Sequence, residues 1–268
     1  MKLFVEKDFL KTLPSTKPPF DTILNIQGKL FRQLEGRETL AFVHDDKRYF
    51  IKKHFGIGWK EIFKNLLQKR LPVISAKNEW EALMKLNKLG IHVPRVIAYG
   101  ERGFNPAKKT SFVLMEEVES SVSLEDYCRD WYKYTPNPEI KKTLIKEVAR
   151  MLRIMHTNGI NHRDCYICHF LLKTNTDELS LYLIDLHRAQ MRKEVPMRWL
   201  IKDLAGMYFS SMNIGLTKDD IIFFLEEYFQ LPWFQIQAKH KKLLEAIDKK
   251  AHALYKREYG KLPPQIKG

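Results

Sequence analysis

His162-Arg163-Asp164-Cys165-Tyr166-Ile167-Cys168-His169-Phe170-Leu171-Leu172 is followed, after a polar turn, by Leu181-Tyr182-Leu183-Ile184-Asp185-Leu186-His187. The first stretch opens on an H-R-D triplet and runs into an apolar strand. The second is an apolar strand that ends on a carboxylate. Together they read as a loop, a short hairpin and an Asp at its exit. A proton acceptor, Asp164, then stands about one hairpin from a metal ligand, Asp185. Phosphoryl transfer needs little beyond positioning and charge neutralisation, so two carboxylates so placed point to that chemistry.

The rest of the chain supplies an order to match. Residues 1–20 are polar with Pro14, Pro18 and Pro19, and read as an arm. From Asn25 to Lys53 the pattern is strand-like, with a turn at His44-Asp45-Asp46-Lys47 before Arg48-Tyr49-Phe50-Ile51-Lys52. Residues 59–71 and 76–89 take helical spacing, the second run stopping at Gly90. Arg95-Val96-Ile97-Ala98-Tyr99 and Ser111-Phe112-Val113-Leu114-Met115 return to strand. Beyond Glu117 helices dominate: Leu124 to Tyr132, Glu139 to Thr157, and Trp199 to the end, with Ile221-Ile222-Phe223-Phe224-Leu225 expected as a buried helix turn. The expectation is an α+β, bilobal protein-kinase-like fold. Residues 1–117 form an N-terminal lobe with a small antiparallel sheet, and 118–268 a mainly helical C-terminal lobe.

Composition narrows the partners. The 268 residues are 44% hydrophobic, enough for a large domain or two modest lobes. Lys plus Arg number 46 against 32 acids, a formal charge of +14, which implies an anionic partner or a solvated basic surface. Three cysteines, Cys128, Cys165 and Cys168, argue for a reducing compartment and against a disulfide framework. The start of the chain lacks a signal peptide's apolar run, and no stretch reaches the roughly 20 apolar residues of a spanning helix. The protein is expected in the cytoplasm, with membrane contact no more than peripheral.

Several residues carry the chemistry. Asp164 accepts or orients the proton of an attacking hydroxyl. Asp185, emerging from an apolar strand, binds magnesium that bridges nucleotide phosphates. Lys52 resembles the third-strand lysine that holds the α- and β-phosphates, with Lys53 the alternative if the register slips by one. Its acidic partner is Glu79, or else Glu81. The glycine-rich loop is poor: only Gly36 lies in the expected turn, so Arg37 or backbone N–H groups are left to cover the phosphates. Glu116 and Val118, where the last apolar strand ends, are assigned to the nucleotide. His169 stands where protein kinases place an Asn metal ligand. Imidazole is a mediocre magnesium ligand, so His169 is expected to act through a water or a phosphate, or in a site that tolerates manganese better. His162, Cys165, Cys168 and His169 also have zinc-ligand chemistry, but compressed into one loop. Asp203 reads either as a brace for the catalytic loop or as an ordinary acid near a helix N-terminus. The helix over 59–71 either lies on an anionic membrane or packs on the small lobe. The basic stretch from Ala238 to Arg257 is a solvated face or a dock for an acidic partner.

Phe55-Gly56-Ile57-Gly58-Trp59-Lys60-Glu61-Ile62, Lys64-Asn65-Leu66, Leu71-Pro72-Val73, Asn78-Glu79-Trp80 and the Asn161–Leu172 loop resemble the lipopolysaccharide core heptose(I) kinases of Gram-negative bacteria. The resemblance covers nearly the whole chain. It implies transfer of the ATP γ-phosphate to the 4-hydroxyl of the first inner-core heptose, with Mg2+ and with Asp164 as base. The acceptor is then a lipid-A-linked core oligosaccharide at the cytoplasmic face of the inner membrane. The resemblance further implies association with acyl carrier protein and no nucleic acid partner. Two other classes stay open at this point: an atypical Rio-like protein kinase, and a non-catalytic kinase-like binding module.

Overall fold

In the computed structural model, residues 1–265 are described except 15, 35, 68–71 and 176–178, and except the side chains of 65 and 66. Expectations placed on Glu35, Asn65, Leu66, Leu71 and the end of the 59–71 helix therefore lie wholly or partly outside the described residues.

The chain forms two compact units. The first comprises Met1–Lys85, Val93–Glu117 and Leu186–Arg188; the second comprises Leu86–His92, Val118–Asp185 and the chain from Ala189 onward. In the first unit the elements are β1 (Lys2–Val5), α1 (Lys7–Thr12), α2 (Pro19–Leu24), β2 (Lys29–Leu34), β3 (Arg37–His44), β4 (Lys47–His54), α3 (Gly58–Leu67), all but the last residues of α4 (Lys77–Lys88), β5 (Val96–Arg102) and β6 (Thr110–Glu116). The six strands make one antiparallel sheet, ordered β1-β5-β6-β4-β3-β2. The β3–β4 turn is tight because Asp45 and Asp46 both take left-handed conformations, which short polar side chains tolerate best after glycine.

The first twenty residues are not an arm. β1 pairs with β5, and Phe9 and Phe20 are buried with Ile23, Leu24, Leu40, Ile51 and Phe112 in the core of this unit. Their prolines punctuate two six-residue helices; Pro19 sits in the first turn of α2, where its missing N–H costs nothing. Trp80 of α4 stacks on Tyr99 of β5, centroids 4.1 Å apart, and fixes that helix on the sheet.

The second unit holds β7 (Ser121–Ser123), α5 (Leu124–Tyr127), α6 (Pro138–Thr157), β8 (Ile160–Asn161), β9 (Phe170–Lys173), β10 (Ser180–Leu183), β11 (Gln190–Met191), α7 (Met197–Ser211), α8 (Lys218–Phe229) and α9 (Trp233–Tyr259). The hairpin β9–β10 gains a third strand, β7, and β8 pairs with β11. α5 is shorter than the helix expected to Tyr132, because the chain beyond it runs through successive tight turns, Trp131 N–H donating to Cys128 and Lys133 N–H to Asp130. α6 begins on an Asn137 cap that accepts from two backbone N–H groups. Ile221–Leu225 is half-buried rather than buried, because part of this run lines a cavity of about 240 Å3 together with Leu144, Val148, Leu204 and Met207. Among the described residues no helix is long and apolar enough to cross a membrane.

Candidate active site

In the second unit the H-R-D loop hangs from α7. Asp203 is fully buried, and its two carboxylate oxygens accept the backbone N–H of His162 at 2.6 Å and of Arg163 at 2.7 Å. His156 adds a longer contact to the same carboxylate, 3.4 Å, and is itself held by the Tyr228 hydroxyl. Of the two readings of Asp203, the brace is the one observed. Gly206 permits the close approach, since a Cβ there would lie 2.6 Å from the Cys165 carbonyl oxygen. Arg163 sits in a left-handed conformation, φ +75°, with its guanidinium over the Trp199 ring.

His162 is buried and donates through Nε2 to the Ile184 carbonyl, which ties the loop to the end of β10. Burial holds this imidazole below its ordinary value, hence neutral. The His169 ring stacks parallel on His162, centroids 5.5 Å apart. His169 Nδ1 lies 2.7 Å from the Asp164 carbonyl oxygen and must donate to it. That bond places a proton on Nδ1, and Nε2 lies 3.7 Å from Asp185 Oδ2. Asp185, also left-handed at φ +61°, follows Ile184, whose N–H returns to the His169 carbonyl. Asp164 carries its carboxylate into the loop with Lys202 Nζ at 3.4 Å. Within the loop the Arg163 guanidinium lies over Trp199, and the cation on the Asp164 carboxylate comes from α7.

The zinc reading finds no support in these positions. Burial raises the Cys165 thiol and pushes that of Cys168 up to about 11. Among the described residues no group of three His, Cys, Asp or Glu is arranged to hold a metal. A magnesium site shared with phosphate needs fewer protein donors. The Asp185 and His169 atoms, 3.7 Å apart, can both reach one ion about 2.1 Å from each.

The first unit carries the other predicted residues. Lys52 Nζ meets Glu79 Oε1 at 2.5 Å, with Glu79 buried. The alternatives resolve by strand alternation: Lys53 points to the opposite face, where Ile26 O and Glu38 hold it, while Glu81 pairs with Lys77. Gly36 turns the chain between β2 and β3 at φ +70°, and a Cβ there would lie 2.3 Å from the Gly56 carbonyl oxygen. Glycine is needed at that point for backbone packing whatever the ligand. Glu116 closes β6 and faces Lys47 at 2.8 Å and Arg95 at 3.7 Å. Val118 belongs to the second unit, its carbonyl accepting from Ser121 Oγ at 2.6 Å.

Cations gather near Arg37 and His54, which face each other across β3 and β4. Burial pushes the Arg37 guanidinium down, and Arg32 and Arg188 add to the pressure. His54 is driven down to about 3 by burial and by Arg37, Lys52 and His187. Glu61 acts on Arg37 in the opposite sense, and Glu79 pairs with Lys52. Sequence reading named Arg37 but passed over Arg188 and Lys202, which are remote in sequence from the groups they face.

The family model described as "Lipopolysaccharide kinase (Kdo/WaaP) family" matches residues 21–228. A lipopolysaccharide core heptose(I) kinase WaaP of Pseudomonas aeruginosa is 46% identical over 268 residues, 98% of this chain and 100% of the relative. An Escherichia coli protein of the same description is 48% identical over 255 residues, 94% of this chain and 96% of the relative. A solved structure, "WaaP in complex with acyl carrier protein", superposes with a TM-score of 0.83 at 40% identity, covering 95% of this chain and 100% of that one. The α+β architecture is thus kinase-like, and ATP is the phosphate donor that a kinase family implies. The chain belongs to the lipopolysaccharide kinase (Kdo/WaaP) family and is a phosphotransferase that acts on a sugar hydroxyl.

Proposed function

We propose that the protein transfers the γ-phosphate of ATP to the 4-hydroxyl of the first heptose of the lipopolysaccharide inner core, at the cytoplasmic face of the inner membrane. The observation that carries the chemistry is the Asp164 carboxylate, mounted on a loop that Asp203 pins by two backbone hydrogen bonds. Asp164 takes the proton of the heptose O4–H as oxygen attacks the γ-phosphorus. The new O4–P bond forms while the bond from γ-phosphorus to the β–γ bridging oxygen breaks, and that electron pair leaves with ADP. Lys202 offsets negative charge beside the base. Lys52, oriented by Glu79, holds the α- and β-phosphates, and Arg37 and Arg188 screen the nucleotide's charge. Glu116 and Val118 lie along the nucleotide's base, and Gly36 shapes the turn over the phosphates. Asp185 holds Mg2+, with His169 contributing through a water or, with Mn2+, directly. The ion when bound neutralises phosphate oxygens.

The test is transfer of label from ATP to core lipopolysaccharide lacking the heptose phosphate, with the product's phosphate position read by 31P–1H correlation NMR. Phosphate on O4 of the first heptose supports the reading. Label on a Ser/Thr peptide and never on sugar sinks it.

A second reading concerns a partner. The solved relative was captured with acyl carrier protein. Here the second unit contains a cavity of about 240 Å3 lined by Leu144, Val148, Met207 and Phe224, of a kind that accepts an acyl chain. The charge of +14 suits an acidic carrier. Acyl-loaded carrier is expected to raise the melting temperature, and unloaded carrier to leave it nearly unchanged.

A further inference from the structure

α3 (Gly58–Leu67) presents an unusual face. Ile62 is its buried anchor, 6% exposed, whereas Trp59 is 49%, Phe63 57% and Leu67 85% exposed. Phe55, 47% exposed, precedes them with the same four-residue step. At 100° per residue, Trp59, Phe63 and Leu67 cover one continuous arc of about 80° beside the Ile62 anchor. Lys60 and Lys64 follow on the far border of that arc, both exposed. The Trp59 and Phe63 rings stack, centroids 5.8 Å apart, so the face is already organised. The Gly58 N–H donates to the Ala107 carbonyl at 3.1 Å, which ties the start of α3 to the loop bearing the fully exposed Phe104. Scattered exposed apolar residues need no explanation, but an aromatic stripe along one helix does.

We infer that α3 is a membrane-docking helix whose occupant is the anionic bilayer surface. An anchored turn, an outward aromatic arc and a lysine border form the cross-section of a helix lying in a lipid interface, with the rings at headgroup depth and the ammonium groups on the phosphates. A second copy of the chain suits this face poorly. Two such arcs paired antiparallel about a two-fold axis would bring lysines together, and the one acid of the helix, Glu61, is engaged by Lys64 at 3.2 Å. The family's substrate is a lipid-borne sugar, so a docked helix lowers the search for it to two dimensions. The inference extends the lipid-borne acceptor of the proposed function, but vesicle binding is read without phosphate transfer, so the two fail separately.

The experiment is flotation of the full chain with phosphatidylglycerol vesicles and with phosphatidylcholine vesicles. It compares the wild type with Trp59→Ser/Phe63→Ser and with Lys60→Ser/Lys64→Ser. All these side chains are exposed, so melting temperatures are expected to match. The wild type is expected to float with the anionic vesicles. The aromatic pair is expected to lower partitioning at least tenfold, and the lysine pair by about fivefold per lysine on anionic lipid alone. With an acceptor embedded in vesicles the aromatic pair slows transfer, while turnover of a delipidated acceptor is unchanged. Equal flotation of wild type and aromatic variant overturns the inference, as does failure of the wild type to bind phosphatidylglycerol. A variant that instead turns a dimer into a monomer, or loses an acidic carrier protein with vesicle binding intact, assigns the face to that partner and overturns it too.

Discussion

The catalytic loop of the second unit and the basic strands of the first are built on opposite principles. In the loop, Asp203 satisfies two backbone N–H groups, His162 holds a carbonyl, and His169 holds another. These bonds fix the backbone of the loop that carries Asp164 and tie it to the strand end that carries Asp185. Around β3 and β4 the first unit pairs Lys52 with Glu79, Lys53 with Glu38 and Lys47 with Glu116, and it sets Arg37 and His54 among further cations that depress both. On the proposed function, those cations receive the polyphosphate. On the proposed function the contrast separates two tasks: a fixed template where atoms react, and a charged receptor for the nucleotide.

The sharpest way to break the contrast is Asp203→Ala. It leaves two buried backbone N–H groups unmatched, and a loss of about 3 to 5 kcal/mol is expected in urea unfolding, with activity falling in the fraction that remains folded. Next comes Lys52→Met, which strands the buried Glu79 carboxylate and is expected to cost about 2 to 3 kcal/mol. Lys52→Met/Glu79→Leu should regain most of that stability and none of the lost ATP affinity, measured by calorimetry. If the double variant stays as unstable as the single, the pair is structural and the receptor reading weakens. Lys202→Met is expected to lower kcat about tenfold with little change in stability, and Lys202→Arg to restore much of it. A further effect, confined to acid, is on stability. His54 stays neutral in the fold down to about 3, whereas the unfolded chain takes up a proton near pH 6.5. The unfolded state therefore binds more protons between those values, and stability falls as pH drops from about 6.5 towards about 3. His162 acts in the same direction. His54→Gln should flatten the slope in that window and leave stability above pH 7 independent of pH.

Much of this was legible in the chain because local signals agreed with the tertiary result. The alternation over β4 and the Asp45-Asp46 turn set its register, and with it Lys52 inward and Lys53 to the other face. The H-R-D loop carried its own spacing to Asp185. What escaped was non-local. β1 offers only four residues of pattern, and its pairing with β5 lies almost a hundred residues away. Three prolines hid the apolar spacing of Phe9, Phe20, Ile23 and Leu24, which become core only when α1 and α2 pack. Lys202 reaches Asp164 from a helix 38 residues on, and Arg188 presses on Arg37 from across the chain. No periodicity announces such encounters. The face of α3 was legible as amphipathic; the exposure of Trp59, Phe63 and Leu67 was not.

The central claim rests on Asp164 as the base, and the most direct measurement is single-turnover phosphate transfer by Asp164→Asn with the heptose acceptor and saturating ATP. The isosteric amide keeps a partner for Lys202 and leaves the backbone contacts of the loop in place. The account expects the transfer rate to fall by about 10²–10⁴, with ATP affinity and melting temperature close to wild type. A variant that transfers phosphate at near the wild-type rate would contradict it.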